Sequence, residues 1–314
     1  MSAVTDIIII GAGPAGMTAA IYARRAAMSV LVLEAVSCGG QIINTPEIEN
    51  YPAAAHISGF DFATKVYEQA KELGAQFRFE RALSIRDGGA VKTVVTAKNS
   101  YDASAVIIAT GSRNRALGLE NEDRLVGRGI SYCATCDGAF FRGKDVAVVG
   151  GGNTALEDAL YLANIARRVY LIHRRDTFRG EEATVERLRA RDNVTFVLQS
   201  RVTKLNAGKR LESIVTEDSA GNTRTLDVSG MFVAVGRVPE NQPFSDLIEL
   251  DSAGYAVAGE DCRTKTAGIF VAGDNRTKSV RQLVTATADG ATAATAATAV
   301  AAVRASVTLD PVRE

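Results

Sequence analysis

The sequence predicts an α/β fold of two domains, each with three layers and a mostly parallel sheet in the middle. A buried strand, a glycine turn and a helix follow one another twice, first from Asp6 and again from Asp145. Each copy is followed by a later apolar strand that leads into a glycine, at 105–112 and at 230–239. The 314 residues leave room for two cores, because single cores stop growing near roughly 250–300 residues.

The overall charge and apolar pattern exclude several classes of partner. Lys and Arg together number 36, as do Asp and Glu, so no net field attracts nucleic acid or an anionic membrane surface. The first residues lack a signal-peptide pattern, and the longest uncharged stretch, 290–303, is shorter than the ~20 residues of a membrane span. Only four cysteines are present, which favours a reducing compartment. We therefore expect a cytoplasmic protein without nucleic-acid or membrane partners.

The first copy of the repeat, "DIIIIGAGPAGMTAAIYARRAAMSVLVLE", predicts a dinucleotide site. Its continuous apolar run is typical of a strand buried on both faces. Gly11 would allow the tight turn, Gly13 the close approach of a pyrophosphate, and Gly16 the packing of the helix on the strand. Glu34 ends the next strand, where a carboxylate would bind ribose hydroxyls. This copy indicates a site for FAD or NAD, the alternative being a glycine turn that binds no ligand.

The second copy, "DVAVVGGGNTALEDALYLANIARRVYLIHRR", differs at the position that selects the nucleotide. Gly150, Gly152 and Ala155 hold the glycine-turn spacing, and His173 stands at the same offset as Glu34 in the first copy. A histidine followed by two arginines suits a 2′-phosphate, which a carboxylate would repel. We therefore predict an NADP site, the alternative being a solvated basic turn; Arg179 would either join this cluster or face water.

A third apolar strand, "GIFVAGDN" at 268–275, follows after the second copy is complete. It must join a sheet, and the simplest arrangement returns the chain to the first domain. The sequence therefore predicts one domain from 1–113 with 243–314, and a second domain, 114–242, inserted into it. Asp274 at the end of this strand would reach a polar ribityl chain, cap the following helix, or do both.

"SYCATCDG" contains the only two cysteines that stand close together, Cys133 and Cys136. A structural zinc site needs four ligands, which isolated cysteines and two histidines do not supply, so no metal is expected. A disulfide that closes so short a loop adds little stability. Redox exchange remains, and two nucleotide sites would supply its electrons. Asp137 is either a general acid raised in pKa or a turn residue, whereas Cys38 and Cys262 are expected to pack as small apolar groups.

Several stretches in this order and spacing identify a family resemblance, which covers residues 6–294. The sequence resembles the low-molecular-weight, bacterial-type, NADPH-dependent thioredoxin reductases in "GAGPAG", "GGQ" with "EIENYP", "ATGS", "SYCATCDG", "GGGNTALEDALYL", "HRRDTFR", "VGRVPEN" and "GIFVAGD" with "RQLVTATADG". The resemblance implies two Rossmann-like domains, with FAD in the split domain and NADPH in the inserted one. It also implies a homodimer that acts on thioredoxin or a thioredoxin-like protein.

The resemblance further implies a role for each matching residue. Cys136 would lie against the flavin, Cys133 would attack the disulfide of the partner, and Asp137 would be the acid. The residues implied for FAD are Gly11, Gly13, Ala15, Gly16, Glu34, Gly40, Gln41, Asn50, Thr110, Gly111, Asp274, Arg281, Gln282 and Leu283. Those implied for NADPH are Gly152, Asn153, Thr154, His173, Arg174, Arg175, Arg179 and Arg237. Rotation of the inserted domain is also implied, and we expect "RALGL" and "PENQPF" to be its hinges.

Related functions remain as alternatives. A flavoprotein reductase of a peroxiredoxin usually has an N-terminal thioredoxin-like extension and favours NADH, whereas this chain starts at the flavin motif and contains "HRR". A ferredoxin- or flavin-driven reductase and a dithiol oxidase would not need the second glycine turn in this form. A binding protein without enzymatic activity would not need both cysteines. Two departures from the family pattern, Asn275 and the absence of glycine after the proline in "YPAAAH", lie on the predicted flavin side.

Overall fold

The chain folds into two compact units joined by two crossings. The computed structural model describes residues 4–45, 47–54 and 56–309, with side chains as far as residue 303. One unit is Met1–Arg113 with Val238–Glu314, and the other is Asn114–Arg237. The second crossing therefore falls at 237–238, whereas the sequence placed it at 242–243. The reason is that Phe244 packs in the core of the first unit and Asn241 donates to the Gly254 carbonyl there.

The first unit contains a seven-stranded sheet in the order β3-β2-β1-β6-β5-β4, with β17 also paired to β6. Its strands are β1 (Thr5–Ile10), β2 (Val30–Leu33), β3 (Gln76–Arg78), β4 (Ala82–Gly88), β5 (Val91–Thr96), β6 (Ser100–Ile108) and β17 (Ile269–Val271). The pairs that involve β1, β2, β3 and β17 are parallel, whereas β4, β5 and β6 form an antiparallel meander. The prediction that the third apolar strand returns to the first sheet is confirmed.

The first unit has three helices, α1 (Pro14–Arg25), α2 (Gly59–Glu72) and α7 (Leu283–Leu309). Helices α1 and α7 pack closely against each other and against this sheet, and α2 lies beside α1. Small residues of α7 make the close approach possible, because a Cβ on Gly290 would overlap the Ala15 carbonyl of α1. Ala293, Ala294 and Ala297 on the same helix are fully buried. The glycine turn before α1 is thereby held against a rigid helix pair.

The second unit repeats this plan around a five-stranded parallel sheet in the order β11-β10-β9-β15-β8. Its strands are β8 (Ile130–Ser131), β9 (Asp145–Val149), β10 (Arg168–Ile172), β11 (Val194–Val197) and β15 (Gly230–Val233). The helices are α3 (Glu122–Leu125), α4 (Ala134–Asp137), α5 (Asn153–Ala163) and α6 (Glu182–Arg189). An antiparallel sheet of β12 (Ser200–Ala207), β13 (Leu211–Asp218) and β14 (Thr223–Asp227) packs its apolar side chains into the core on the opposite face.

The two crossings run side by side as a two-stranded ribbon of β7 (Ser112–Asn114) and β16 (Arg237–Pro239). Arg115 N–H donates to the Gly236 carbonyl at one end of this ribbon. The expected hinge "RALGL" directly follows β7, and the expected hinge "PENQPF" begins at the last residue of β16. Their role stays a prediction. None of the helices in the described part of the chain is both long and apolar enough to cross a bilayer.

Candidate redox and dinucleotide sites

The first glycine turn joins β1 to α1, and its glycines have different tasks. Gly11 has a φ of 105°, and a Cβ there would overlap the Ala109 carbonyl of the neighbouring chain segment. A Cβ on Gly16 would overlap the Gly11 carbonyl, so both residues close the turn. On Gly13 a Cβ would meet only the Gly40 Cα, at 3.9 Å. The turn is therefore tightly packed on the protein side and open at Gly13, as close approach of a pyrophosphate requires.

Glu34 lies beside this turn at the end of β2. Its Oε2 accepts a hydrogen bond from Ala12 N–H at 2.8 Å, and its Oε1 accepts one from Val36 N–H at 2.9 Å. The carboxylate is thus fixed next to the glycines, with lone pairs left for hydroxyl donors. This geometry fits the ribose contact that the sequence predicts.

Several of the other residues expected to hold FAD lie near one another in the first unit. Gln41 Nε2 donates to the Ser112 carbonyl at 2.7 Å, next to Gly111. Asn50 Nδ2 donates to Gln282 Oε1 at 3.1 Å, although the two residues are far apart in sequence. The Arg281 guanidinium lies 4.1 Å from the centre of the Tyr255 ring. Gly111 has open space around a hypothetical Cβ. These contacts join the Gln41 segment to the end of the "ATGS" motif, and the Asn50 segment to the residues just before α7.

A buried ion cluster that sequence reasoning missed fixes the loop after β17. Arg276 Nη2 lies 2.7 Å from Asp289 Oδ1, and Lys278 Nζ lies 2.9 Å from Asp289 Oδ2. Asp289 also accepts a hydrogen bond from Gly273 N–H at 2.9 Å. Burial opposes ionisation of Asp289, but its two cationic partners outweigh burial and hold its pKa below the ordinary value. The cluster ties the segment around Asp274 to helix α7.

Asn275, one of the two departures from the family pattern, is fully buried within this loop. Its Nδ2 donates to the Ile108 carbonyl at 3.1 Å and to Asn241 Oδ1 at 3.1 Å. Asn241 in turn donates to the Asn275 carbonyl at 2.6 Å. The amide pair therefore connects the end of β6 to the loop after β17, a role that an apolar residue would not supply.

The second glycine turn joins β9 to α5, and its first glycine also lies against a backbone carbonyl. A Cβ on Gly150 would overlap the Ala234 carbonyl, and Gly152 has no heavy atom within 4 Å of a hypothetical Cβ. Gly151 was not predicted as a site residue, but its position also requires a glycine. A Cβ there would overlap the imidazole of His173, so only glycine lets the ring lie against the turn.

His173 is buried at the centre of a cationic cluster. Its ring stacks on Phe178 with 5.3 Å between centroids. Burial lowers its pKa, and the charges of Arg179, Arg174 and Arg175 lower it further. These three guanidinium groups are exposed and all lie near one ring, and Arg179 N–H donates to the Gly151 carbonyl at 2.7 Å. The structure therefore places three of the predicted arginines beside the second turn, as binding of a phosphate group requires.

The other residues predicted to bind NADPH lie at the start of α5 and on β16. Asn153 and Thr154 begin α5 and are exposed. Asn153 Oδ1 accepts a hydrogen bond from Glu181 N–H at 2.8 Å, which joins the helix to the segment before α6. Arg237 lies on β16, and its Nε donates to Asn114 Oδ1 at 2.9 Å.

The redox turn comprises Cys133 to Asp137, directly after β8. Cys133 and Cys136 form a disulfide with 5.3 Å between their Cα atoms. Asp137 Oδ2 accepts a hydrogen bond from Ser131 Oγ at 2.6 Å, and its Oδ1 is buried without a partner among the described residues. Burial raises the pKa of Asp137, and the Ser131 bond only partly opposes this. A carboxyl group that keeps its proton more readily beside a disulfide can protonate a leaving thiolate.

Ser131 is a further residue that sequence reasoning missed. Besides donating to Asp137, its Oγ accepts a hydrogen bond from Cys133 N–H at 3.1 Å. A hydroxyl two residues before the first cysteine was the available signal, but its partner could be known only from the turn geometry.

The two free cysteines contrast with the disulfide pair. Cys262 is fully buried, and Cys38 packs against the core around α1. Burial raises the pKa of each thiol to about 11, with Glu34 adding to the effect at Cys38 and Asp289 at Cys262. Both therefore stay protonated at neutral pH and are poor nucleophiles.

Comparisons with known proteins agree with this architecture. The sequence profile of the family described as "Pyridine nucleotide-disulphide oxidoreductase" matches residues 5–290. A thioredoxin reductase of Listeria monocytogenes is 44% identical, over 92% of this chain and 91% of that protein. A bifunctional thioredoxin reductase/thioredoxin of Mycobacterium leprae is 43% identical, over 92% of this chain and 64% of that protein.

Solved structures give the same result. The crystal structure of thioredoxin reductase from Streptococcus pyogenes superposes with a TM-score of 0.91 at 40% identity. The superposition covers 96% of this chain and 99% of that one. With two glycine turns, a disulfide between them in sequence and these relatives, the chain belongs to the pyridine nucleotide-disulphide oxidoreductases and, within them, to the thioredoxin reductases.

Proposed function

We propose that this protein reduces the disulfide of thioredoxin or a thioredoxin-like protein with electrons from NADPH, by way of FAD and the Cys133–Cys136 pair. The observation that carries the proposal is the Cys133–Cys136 disulfide with the half-buried Asp137 beside it, in a unit that also has an arginine-lined glycine turn. The relatives' names support the identity of the partner.

The two nucleotides are assigned to the two units by the residue that ends the second strand of each copy. We assign FAD to the unit of residues 1–113 with 238–314, where Glu34 and the open face of Gly13 fit it. We assign NADPH to the unit of residues 114–237, where the open face of Gly152 and the arginines around His173 fit it. When bound, the nicotinamide and the flavin supply the two-electron transfer that protein side chains lack. We further propose that the protein forms a homodimer and works in the cytoplasm. The free thiols of Cys38 and Cys262 support a reducing compartment.

The chain's own residues divide the disulfide chemistry among them. In the reduced pair, the Cys133 thiolate attacks one sulfur of the partner disulfide, and a mixed disulfide forms while the other partner sulfur leaves. Cys136 then attacks Cys133, which restores the Cys133–Cys136 bond and releases the partner as a dithiol. Two electrons leave the pair and two protons reach the partner sulfurs. Asp137 is the group placed to hold one of these protons.

The test is rapid mixing of FAD-loaded protein with NADPH, followed by addition of oxidised thioredoxin. We expect loss of the oxidised-flavin absorbance and then formation of reduced thioredoxin. The Cys136→Ser protein should lose flavin absorbance with NADPH but make no reduced thioredoxin over many turnovers. If NADPH does not reduce the flavin, the proposal is wrong. Turnover with a peroxiredoxin-linked partner but not with thioredoxin would assign a different substrate.

A further inference from the structure

One buried carboxylate of the second unit has no part in the chemistry described above. Glu122, on the short helix α3, is only 3% exposed. Its Oε1 accepts a hydrogen bond from Leu117 N–H at 2.9 Å. Its Oε2 accepts one from Gly118 N–H at 2.8 Å and one from Leu119 N–H at 3.1 Å. The last three residues of the expected hinge "RALGL" are therefore bound to a single side chain.

The fourth donor to this carboxylate comes from the segment that contains the redox turn. Tyr132 Oη donates to Glu122 Oε1 at 3.0 Å. Tyr132 lies between Ser131, the last residue of β8, and Cys133. Its ring packs against an apolar core of the second unit. The chain that enters the redox turn is thus anchored to the same carboxylate as the loop at 117–119.

The Tyr132–Glu122 hydrogen bond persists across the neutral pH range, because the phenol keeps its proton. Burial raises the pKa of Tyr132, and the charge of Glu122, the hydrogen bond to it and the charge of Asp123 raise that pKa further. With two donors at each oxygen, the hydrogen-bonding capacity of the carboxylate is filled. A hydrogen bond to a charged group contributes more than a neutral one, so loss of the Tyr132 hydroxyl should have a measurable effect.

The two residues on either side of Tyr132 are held independently. Ser131 lies opposite Phe232 in the parallel pair of β8 with β15, and its Oγ accepts a hydrogen bond from Cys133 N–H at 3.1 Å. The sheet, the phenol and this amide therefore fix the direction in which the chain reaches the first sulfur. A disulfide closes only within a narrow range of Cα separations and side-chain directions, so this direction affects how easily the bond forms.

We propose that Glu122 and Tyr132 are positioning residues of the redox turn, and that the hydrogen bond between them favours the closed turn in which the two sulfurs are joined. The inference rests on the redox role proposed above and adds to it two residues that contact neither sulfur. In the open dithiol the bond contributes less, because the sulfurs no longer have to meet. Removal of the bond should therefore make the pair easier to reduce.

The test measures the thiol–disulfide equilibrium of the FAD-loaded protein in anaerobic glutathione buffers, without NADPH or thioredoxin. Two glutathione thiols are oxidised to one disulfide, and their two electrons and two protons convert the Cys133–Cys136 disulfide into two thiols. After an acid quench, alkylation and mass spectrometry give the ratio of dithiol to disulfide. Flavin absorbance is recorded in the same samples, so that only samples with equal flavin oxidation are compared.

The Tyr132→Phe protein loses the hydroxyl and keeps the ring. We expect its dithiol-to-disulfide ratio to be roughly three- to tenfold above that of the wild type in the same buffer. Tyr170→Phe is the matched control, because Tyr170 is buried in the same core but its hydroxyl accepts a hydrogen bond from Arg168 Nη1, at 3.3 Å. This control should change the ratio less than about twofold.

The Glu122→Gln protein tests the other end of the bond. Glutamine offers one acceptor oxygen to four donors, so its ratio should rise at least as much as in the Tyr132→Phe protein. Adding Tyr132→Phe to this variant should change the ratio less than about twofold, because the two residues act through one bond. Full additivity of the two changes would show that Tyr132 acts without Glu122, and the proposal would be wrong.

A bond that merely stabilises the fold would stabilise the disulfide and dithiol forms equally. An unchanged or lowered ratio in the Tyr132→Phe protein, or an equal rise in the Tyr170→Phe protein, would therefore overturn the proposal. This comparison decides the matter even if Glu122→Gln fails to fold. Because the assay omits NADPH and thioredoxin, a negative result leaves the proposed function intact, and failure of that function leaves the equilibrium result intact.

Discussion

The two glycine turns have nearly the same backbone and different surroundings. In each, the first glycine lies against a carbonyl of the neighbouring segment, Ala109 in one unit and Ala234 in the other. The side chain that follows the second strand of each copy differs between the two units. Glu34 accepts two backbone hydrogen bonds from its own turn region, whereas His173 stacks on Phe178 among three arginines. The comparison teaches that one backbone geometry can carry two different sets of side chains, and we propose that these side chains select the nucleotide.

We expect the largest effect on stability and flavin content at Gly16, where the packing of the two turns differs. A Cβ on Gly16 would overlap the Gly11 carbonyl, a backbone atom that cannot move without opening the turn. Gly16→Ala should therefore cost about 3 kcal/mol or more of stability and remove most of the bound flavin. Thermal unfolding and flavin content after purification measure both effects.

The second turn supplies the matched control, because it already carries alanine at the equivalent position. Ala155 is fully buried at the start of α5. Ala155→Gly should cost only about 1 kcal/mol, mainly through helix propensity, and leave flavin content unchanged. Retention of flavin by the Gly16→Ala protein at the wild-type level would contradict the packing argument.

The next effect concerns nucleotide choice. Replacing Arg174 and Arg175 together by alanine removes two exposed charges next to His173. Since each charge-assisted contact contributes about 1.5–3 kcal/mol, kcat/KM for NADPH should fall by about 100-fold or more. The value for NADH should change less than about threefold. Arg201→Ala, at an exposed arginine paired with Glu217 in the antiparallel sheet, is the control. Equal losses with both nucleotides would remove the phosphate assignment.

A smaller effect is expected at Gly152, where a Cβ meets no protein atom. Gly152→Ala should leave the melting temperature unchanged but raise KM about tenfold for NADPH and for NADH alike, because both nucleotides share the pyrophosphate. This outcome separates backbone approach from side-chain selection. Gly13→Ala, the same change in the first turn, should weaken flavin binding and leave both nicotinamide KM values unaltered. A lower melting temperature with normal KM values at Gly152→Ala would contradict the interpretation.

The sequence predicted the parts of this fold that depend on local pattern. Uninterrupted apolar runs and glycine spacing predicted β1, β9 and the helices that follow them, and the orphan strand at 268–275 predicted the return to the first sheet. Contacts between distant residues were not predictable in the same way. Neither the Asp289 cluster nor the Asn275–Asn241 amide pair leaves a spacing signal, because each depends on how separate elements pack.

The smallest effect concerns the proton on His173. Burial and three arginines lower its pKa below the ordinary 6.5, so the ring is neutral at pH 7. A bound 2′-phosphate would offset the arginine charges and raise that pKa, so binding of NADP⁺ near pH 6.5 should take up a fraction of a proton at the ring. Calorimetric titrations in two buffers with different ionisation enthalpies measure this uptake, and NAD⁺ should show less.

The His173→Gln protein separates the ring from the phosphate, which also titrates near this pH. It should keep only the phosphate's share of the uptake. The same shift predicts the stability of the free protein: because the folded-state pKa is lowered, the contribution of His173 is present above pH 6.5 and is lost as the pH falls towards the folded-state value. His173→Gln should flatten that part of the stability profile. Uptake that is equal for NADP⁺ and NAD⁺, and unchanged in the variant, would show that the imidazole does not sense the bound phosphate and that the second turn selects its nucleotide by the arginines alone.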